Sequence, residues 1–185
     1  MNEKKVAAAE RDPYDPNIAL DRLATLELCY DLNLLSPAES EAQKALLLKI
    51  LPNATEPFWV AAPFQCELGY NIEIGRDTMI NYGFLAIDYS KISFGNNVYI
   101  GPNCIFDTTV PPHQGSDLVY SKPITVGNNV WFGSDVKVLA GVTIGDGAVI
   151  GMGSVVSSDI PPLVFAAGCP ARVMRTLEKD EKLGR

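Results

Sequence analysis

From Val126 onward, apolar residues, all but one followed by glycine or serine, recur every sixth position: Val126-Gly127, Phe132-Gly133, Val138-Leu139, Ile144-Gly145, Ile150-Gly151 and Val156-Ser157. Four residues after each comes a second small or aliphatic position, at Val130, Val136, Val142, Ala148, Ser154 and Ile160. A helix requires a period near 3.6 and a plain strand a period of 2, so neither accounts for this pattern. A six-residue step predicts a prism of short parallel strands, one per hexapeptide and three per coil. The aliphatic side chain points inward onto its counterpart one coil away. Glycine, asparagine or aspartate at the corners tolerates the turn.

The same step occurs earlier, at Ile74-Gly75, Ile80-Asn81, Phe94-Gly95, Ile100-Gly101 and Phe106-Asp107. Its phase slips by two between Ala86 and Phe94, and again between Phe106 and Val126. Residues from about 108 to 122 lack the inward pattern and are expected to leave the prism as a loop. Ahead of the prism, Ile18 to Leu32 reads as a helix. Ser36-Pro37-Ala38-Glu39 reads as a capping box before a second helix through Ala45 to Leu51. Ala171-Arg172-Val173-Met174-Arg175 reads as the opening of a C-terminal helix. The expected organisation is a helical segment over 1–60, the prism over 61–170 and a helical tail over 171–185. Flat prism faces cannot cover themselves, which points to side-by-side association, commonly as a trimer.

Composition narrows the classes. An apolar fraction of 47% over 185 residues indicates a globular chain. A formal charge of −7 argues against nucleic acid or an anionic membrane as partner. No signal-peptide core and no membrane-length apolar run is present in the sequence, so a cytoplasmic protein is expected. Cys29, Cys66, Cys104 and Cys169 form no Cys-x-x-Cys pair and are expected to be buried thiols. A single histidine makes a multi-histidine metal enzyme a poor fit, and no metal is expected.

Over nearly its whole length the chain resembles the maltose/galactoside O-acetyltransferases of the hexapeptide-repeat family. The resemblance is carried by Arg22-Leu23 with Leu28-Cys29-Tyr30-Asp31-Leu32-Asn33, by Pro63-Phe64-Gln65-Cys66-Glu67-Leu68-Gly69-Tyr70-Asn71, by Pro123-Ile124-Thr125-Val126-Gly127-Asn128-Asn129-Val130-Trp131-Phe132-Gly133-Ser134, and by Asp159-Ile160-Pro161-Pro162 with Ala166-Ala167-Gly168-Cys169-Pro170-Ala171-Arg172-Val173. It implies a left-handed parallel β-helix, a homotrimer with active sites between subunits, and acetyl-CoA as co-substrate for O-acetylation of a sugar or other small molecule. The family's CoA contacts would fall on Ser134, Met152, Ser157, Arg172 and Arg175, with Trp131 beside the reaction centre. Arginines also suit the CoA phosphates by their multidentate cationic fork. Asn81 would help hold the catalytic histidine and acceptor, and Arg22 and Asp88 would lie toward the acceptor. Ser158 stands where the family often has lysine.

The stretch Asp107 to Asp117, "DTTVPPHQGSD", holds the one histidine, His113. Aligned without gaps from Pro102-Asn103, the family's His-Pro base would fall on Pro111-Pro112, two residues before it. Two extended residues span up to about 7 Å, beyond the tolerance of a proton-transfer contact unless the loop is rerouted. Either His113 is the shifted general base, or the base is lost, with Asp107 the nearest substitute. The second case would leave a binding protein, or a cyclase or isomerase of a specialised metabolite, using the same intersubunit cleft.

Overall fold

The computed structural model describes residues 9–11, 15–111 and 119–178. Two helices precede a three-faced parallel β-helix. α1 spans Pro16–Leu34 and α2 spans Ser40–Ile50. The Asp15 carboxylate accepts the Asn17 N–H at 2.9 Å, and Pro16 starts the helix where its missing N–H is harmless. The capping box forms one turn early: the Ser36 N–H donates to the Glu39 carboxylate at 2.9 Å, ahead of a helix that begins at Ser40.

Each face of the prism is one sheet. Face one contains Asn53–Ala54, Ile72–Ile74, Ile92–Phe94, Ile124–Val126 and Thr143–Ile144. Face two contains Phe58–Val60, Thr78–Ile80, Tyr99–Ile100, Trp131–Phe132, Val149–Ile150, Val164–Gly168 and Ala171–Thr176. Face three contains Phe64–Cys66, Phe84–Ile87, Ile105–Asp107, Lys137–Val138 and Val155–Val156. Register follows the six-residue step. Ile74 pairs with Phe94, Phe94 with Val126 and Val126 with Ile144, and all four point inward. The second series, from Val130 to Ile160, is buried at every position. Phe64, Phe84, Phe94, Phe106 and Phe132 form an aromatic column in the core, mostly edge to face, with neighbouring ring centroids 5.2–6.2 Å apart.

Corners stay tight because the third residue after an inward one takes the left-handed conformation. Asp77, Asn97, Asn103, Asn129 and Asp135 all have φ between 54° and 60°, where Asn and Asp bear the least steric cost among residues with a side chain. Corner side chains also cap the next coil. The Arg76 N–H donates to Asn96 Oδ1 at 2.8 Å, the Asn96 N–H to Asn128 Oδ1 at 2.9 Å, and the Asn128 N–H to Asp146 Oδ1 at 2.7 Å. These partners are 20, 32 and 18 residues apart, so successive coils differ in length as the phase slips required.

The segment expected to leave the prism does so. Thr109–Val110 and Val119–Ser121 pair antiparallel, and Ala9–Arg11 adds a third strand on the outer edge. A buried hydroxyl cluster fixes its base: Ser90 Oγ lies 2.7 Å from Ser121 Oγ, and the Ser90 N–H donates to Thr108 Oγ1 at 3.1 Å. Thr108 Oγ1 in turn donates to the Ile87 carbonyl at 2.7 Å.

Three expectations are corrected. The prism begins at Asn53 and not at 61, because Asn53–Ala54 already pairs with Ile72–Ile74. Ala171–Thr176 is a strand and not a helix: Gly168, at φ 105°, turns the chain back so that this segment pairs antiparallel with Val164–Gly168. That pairing supplies partners for an edge that a helix would leave bare. Cys29, Cys66 and Cys104 are buried, whereas Cys169 is exposed, since it occupies the tip of that hairpin.

Candidate functional site

Along the outer side of face two, register aligns Met79, Tyr99, Trp131, Val149, Phe165 and Arg175. Their inward neighbours Ile80, Ile100, Phe132 and Ile150 are wholly buried, while Met79 is 40% and Trp131 45% exposed. The apolar outer stripe borders a cleft of about 390 Å³, lined by Tyr99, Trp131, Ser134, Met152 and Phe165 among others. Its corner is smooth because glycines let coils stack closely. A Cβ on Gly133 would lie 2.6 Å from the Met152 nitrogen, and one on Gly101 2.7 Å from the Gly133 carbonyl carbon. Gly101, Gly133 and Gly151 therefore make a corner of backbone against which a long thin ligand can lie.

Of the residues singled out in the sequence, the cleft brings together Trp131, Ser134 and Met152. Ser157 is exposed at the following corner, outside the cleft lining. Arg172 and Arg175 are three positions apart, which in a regular strand puts side chains on opposite faces. Here Arg175 pairs with Phe165, Val173 with Ala166 and Arg172 with Ala167, so Met174 is an extra, bulged residue. The bulge turns both arginines to the outer side, in line with Phe165 and the cleft. Arg172 Nη1 also donates to the Ala171 carbonyl at 2.9 Å.

Asn81 occupies the corner after Ile80. Its Oδ1 accepts the Tyr82 N–H at 2.9 Å, and its Nδ2 donates to the Tyr99 hydroxyl at 3.3 Å. The Tyr99 ring lies 5.6 Å from that of Trp131. Asn81, Tyr99 and Trp131 thus form one connected group at the cleft mouth. Tyr99 was not foreseen. Its signal was an aromatic at the outward strand position of Asn96-Asn97-Val98-Tyr99-Ile100, the counterpart of Trp131 in the next coil.

Arg22 and Asp88 lie at a different corner, between faces three and one, each bonded to Glu67. The Arg22 guanidinium pairs with the Glu67 carboxylate and stays partly exposed. Asp88 is 0% exposed and accepts the N–H groups of Glu67, Leu68 and Gly69 at 3.0, 2.9 and 2.7 Å. Burial pushes its carboxyl above the usual range, against the pull of those N–H donors. Its side chain ties two coils together and presents no surface to a ligand. Tyr89, beside Arg22, has its phenol pushed upward by burial and by Glu67. His113 lies outside the described residues.

The bacterial transferase hexapeptide (six repeats) profile matches residues 123–158, and the maltose acetyltransferase hexapeptide capping motif matches 12–55. The galactoside O-acetyltransferase of Escherichia coli K12 is 41% identical over 165 residues, covering 87% of this chain and 81% of that protein. The chain belongs to the maltose/galactoside O-acetyltransferase family. Solved structures of the family superpose closely. A maltose O-acetyltransferase from Clostridium difficile 630 gives a TM-score of 0.90 at 32% identity, with 93% and 94% of the two chains covered. A galactoside acetyltransferase in complex with coenzyme A gives 0.88 at 37%, with 95% and 94% covered. The capping motif of this family corresponds to α1, α2 and the first strand of face one. The six-repeat match covers the coils that carry Trp131, Ser134 and Met152.

Proposed function

We propose that the chain transfers the acetyl group of acetyl-CoA to a hydroxyl of a sugar or other small molecule, working as a homotrimer in the cytoplasm. The observation that carries this reading is the outer side of face two. An apolar stripe runs along a smooth backbone corner, and a bulge turns two arginines toward one end of it. That layout fits an extended co-substrate with an apolar arm and a phosphorylated head. Arg172 and Arg175 meet the phosphates, Met152 and Phe165 flank the pantetheine arm, Ser134 supplies a hydrogen bond along the edge, and Ser157 one from the following corner. Trp131 and Asn81 stand at the reacting end. Arg22, half-exposed at the neighbouring corner, faces the acceptor side. A second copy set against face two covers Met79 and Trp131 and closes the cleft, which accounts for apolar rings left in water by one chain.

In the reaction a base removes the acceptor hydroxyl proton. The oxygen forms a bond to the thioester carbon, the carbonyl pair moves to oxygen, and collapse of the tetrahedral adduct breaks the C–S bond. The proton ends on the departing thiolate. His113 is assigned as the base.

Calorimetric titration with acetyl-CoA tests the reading, alongside a light-scattering mass near three times 20.0 kDa. Arg172→Ala and Arg175→Ala should each weaken binding by roughly 10- to 100-fold, the equivalent of about 1.5–3 kcal/mol for a charge-assisted contact. In the same preparation, His113→Ala should lower turnover by at least about 10² while leaving that affinity intact. A chain that binds no CoA sinks the proposal, and unchanged turnover in His113→Ala removes the base assignment.

A further inference from the structure

Tyr99 and Asn81 are bonded in a way that fixes which atom donates. The Tyr82 N–H can only donate, so the Asn81 atom it meets at 2.9 Å is the carbonyl oxygen. The other end of the Asn81 amide is therefore the NH2 group, which also can only donate. The Tyr99 oxygen, 3.3 Å away, must accept. Its own hydrogen is left over. Tyr99 is held in place by ring contact with Trp131 at 5.6 Å and lines the cleft beside it. Among the described residues, no acceptor faces that hydroxyl hydrogen.

Building on the acyl-transfer reading above, we infer that the Tyr99 O–H is a catalytic hydrogen-bond donor to the thioester carbonyl oxygen, stabilising the oxyanion of the tetrahedral adduct. Asn81 thereby acts as a positioning residue, since its amide holds the phenol oxygen from behind. The phenol keeps its proton throughout. As the acceptor oxygen bonds to the carbonyl carbon, the π pair moves to the carbonyl oxygen and the existing O–H···O contact shortens. When the C–S bond breaks, that pair returns and the contact relaxes. Donors of this kind act only where charge develops, so their removal lowers kcat more than it raises KM.

The test is Tyr99→Phe in the full-length protein. This variant keeps the ring against Trp131 and removes only the hydroxyl. The expected result is a fall in kcat of about 10²-fold or more, with KM for acetyl-CoA within about threefold of the parent and an unchanged melting temperature. A second arm needs no acceptor. The parent should bind a ketone analogue of acetyl-CoA, with CH2 in place of the thioester sulfur, more tightly than a CoA derivative lacking the carbonyl. Tyr99→Phe should erase that preference and leave affinity for free CoA unchanged. Equal kcat and an equal binding preference in parent and variant overturn the donor role, as does an effect confined to the KM of the acceptor. If the parent binds neither CoA nor the ketone analogue, the acyl-transfer reading itself fails. Normal CoA binding with an unaffected variant removes Tyr99 alone.

Discussion

Between faces two and three the chain turns in the same six-residue step at every coil: Val60 to Cys66, Ile80 to Ala86, Ile100 to Phe106, Phe132 to Val138 and Ile150 to Val156. Between faces three and one the spacing wanders. It is eight from Cys66 to Ile74 and from Ala86 to Phe94, twenty from Phe106 to Val126, and six from Val138 to Ile144. The constant corner carries Asn81, Ser134 and Met152 and borders the cleft. The variable corner carries Asp88, the Arg22–Glu67 pair and the extruded strands. Regular stacking gives a straight backbone rail suited to a co-substrate that never changes. Irregular turns give side-chain and loop chemistry that can be rebuilt without disturbing the rail. In the proposed reading the two halves of the reaction sit on these two kinds of corner.

The comparison breaks most sharply where coils touch backbone to backbone. A Cβ at Gly101 would lie 2.7 Å from the Gly133 carbonyl carbon and 2.8 Å from its oxygen, neither of which can swing aside. Gly101→Ala should destabilise the fold by about 3 kcal/mol, read as a drop in urea midpoint, because separating two coils strains both neighbours. An alanine tolerated there would mean that the rail is compliant, and its regularity would then explain nothing about the cleft.

At the variable corner the corresponding test is Asp88→Asn. An amide turns an NH2 toward one of three donors, so the variant should lose about 2 kcal/mol. The pH dependence has a definite sign. Burial holds the native Asp88 carboxyl above its ordinary value, so the native state binds the proton more tightly than the unfolded chain. That contribution is complete below the unfolded value of about 3.9 and is lost as pH rises through the raised native value. The stability gap between parent and variant should therefore be wider at pH 4 than at pH 7. A gap that widens toward pH 7 would show that the three N–H donors outweigh burial.

The prism's regular part was legible in the sequence because each inward residue reports its register independently, from Ile74 through Val156. What escaped had physical causes. The resemblance placed Asp88 toward the acceptor, but the eight-residue turn folds three amides around it and buries it. Arg172 and Arg175 were singled out, but a period of two would put them on opposite faces, and the bulge at Met174 is invisible in composition. Ala171 to Arg175 is rich in helix formers, and pairing with Val164–Gly168 overrode that propensity. Tyr99 carries no motif of its own; its bond to Asn81 spans 18 residues of chain and becomes evident only when coils stack.

The smallest test concerns a corner that breaks the Asn, Asp or Gly rule. Leu163 stands at φ 53°, in the place that Gly147 and Asn129 fill in other coils. Leu163→Asn should stabilise the protein by about 0.5–1 kcal/mol through relief of backbone strain, visible as a higher urea midpoint. A lower midpoint would mean that packing of the Leu163 side chain over Gly147 is worth more than the strain.

The hairpin that ends face two also bears on how the molecule behaves in a crowd. A parallel coil is a mould for the next one, and any stack whose last rung resembles its first invites another chain to dock end-on and continue it. On this face the last rung, Ala171–Thr176, runs against the direction of those below it and holds Arg172 and Arg175. An arriving chain would meet reversed polarity and two like charges instead of a matching rung. The strand that presents cations to the cleft is thus also the stop signal that keeps a self-templating architecture from growing into a fibre.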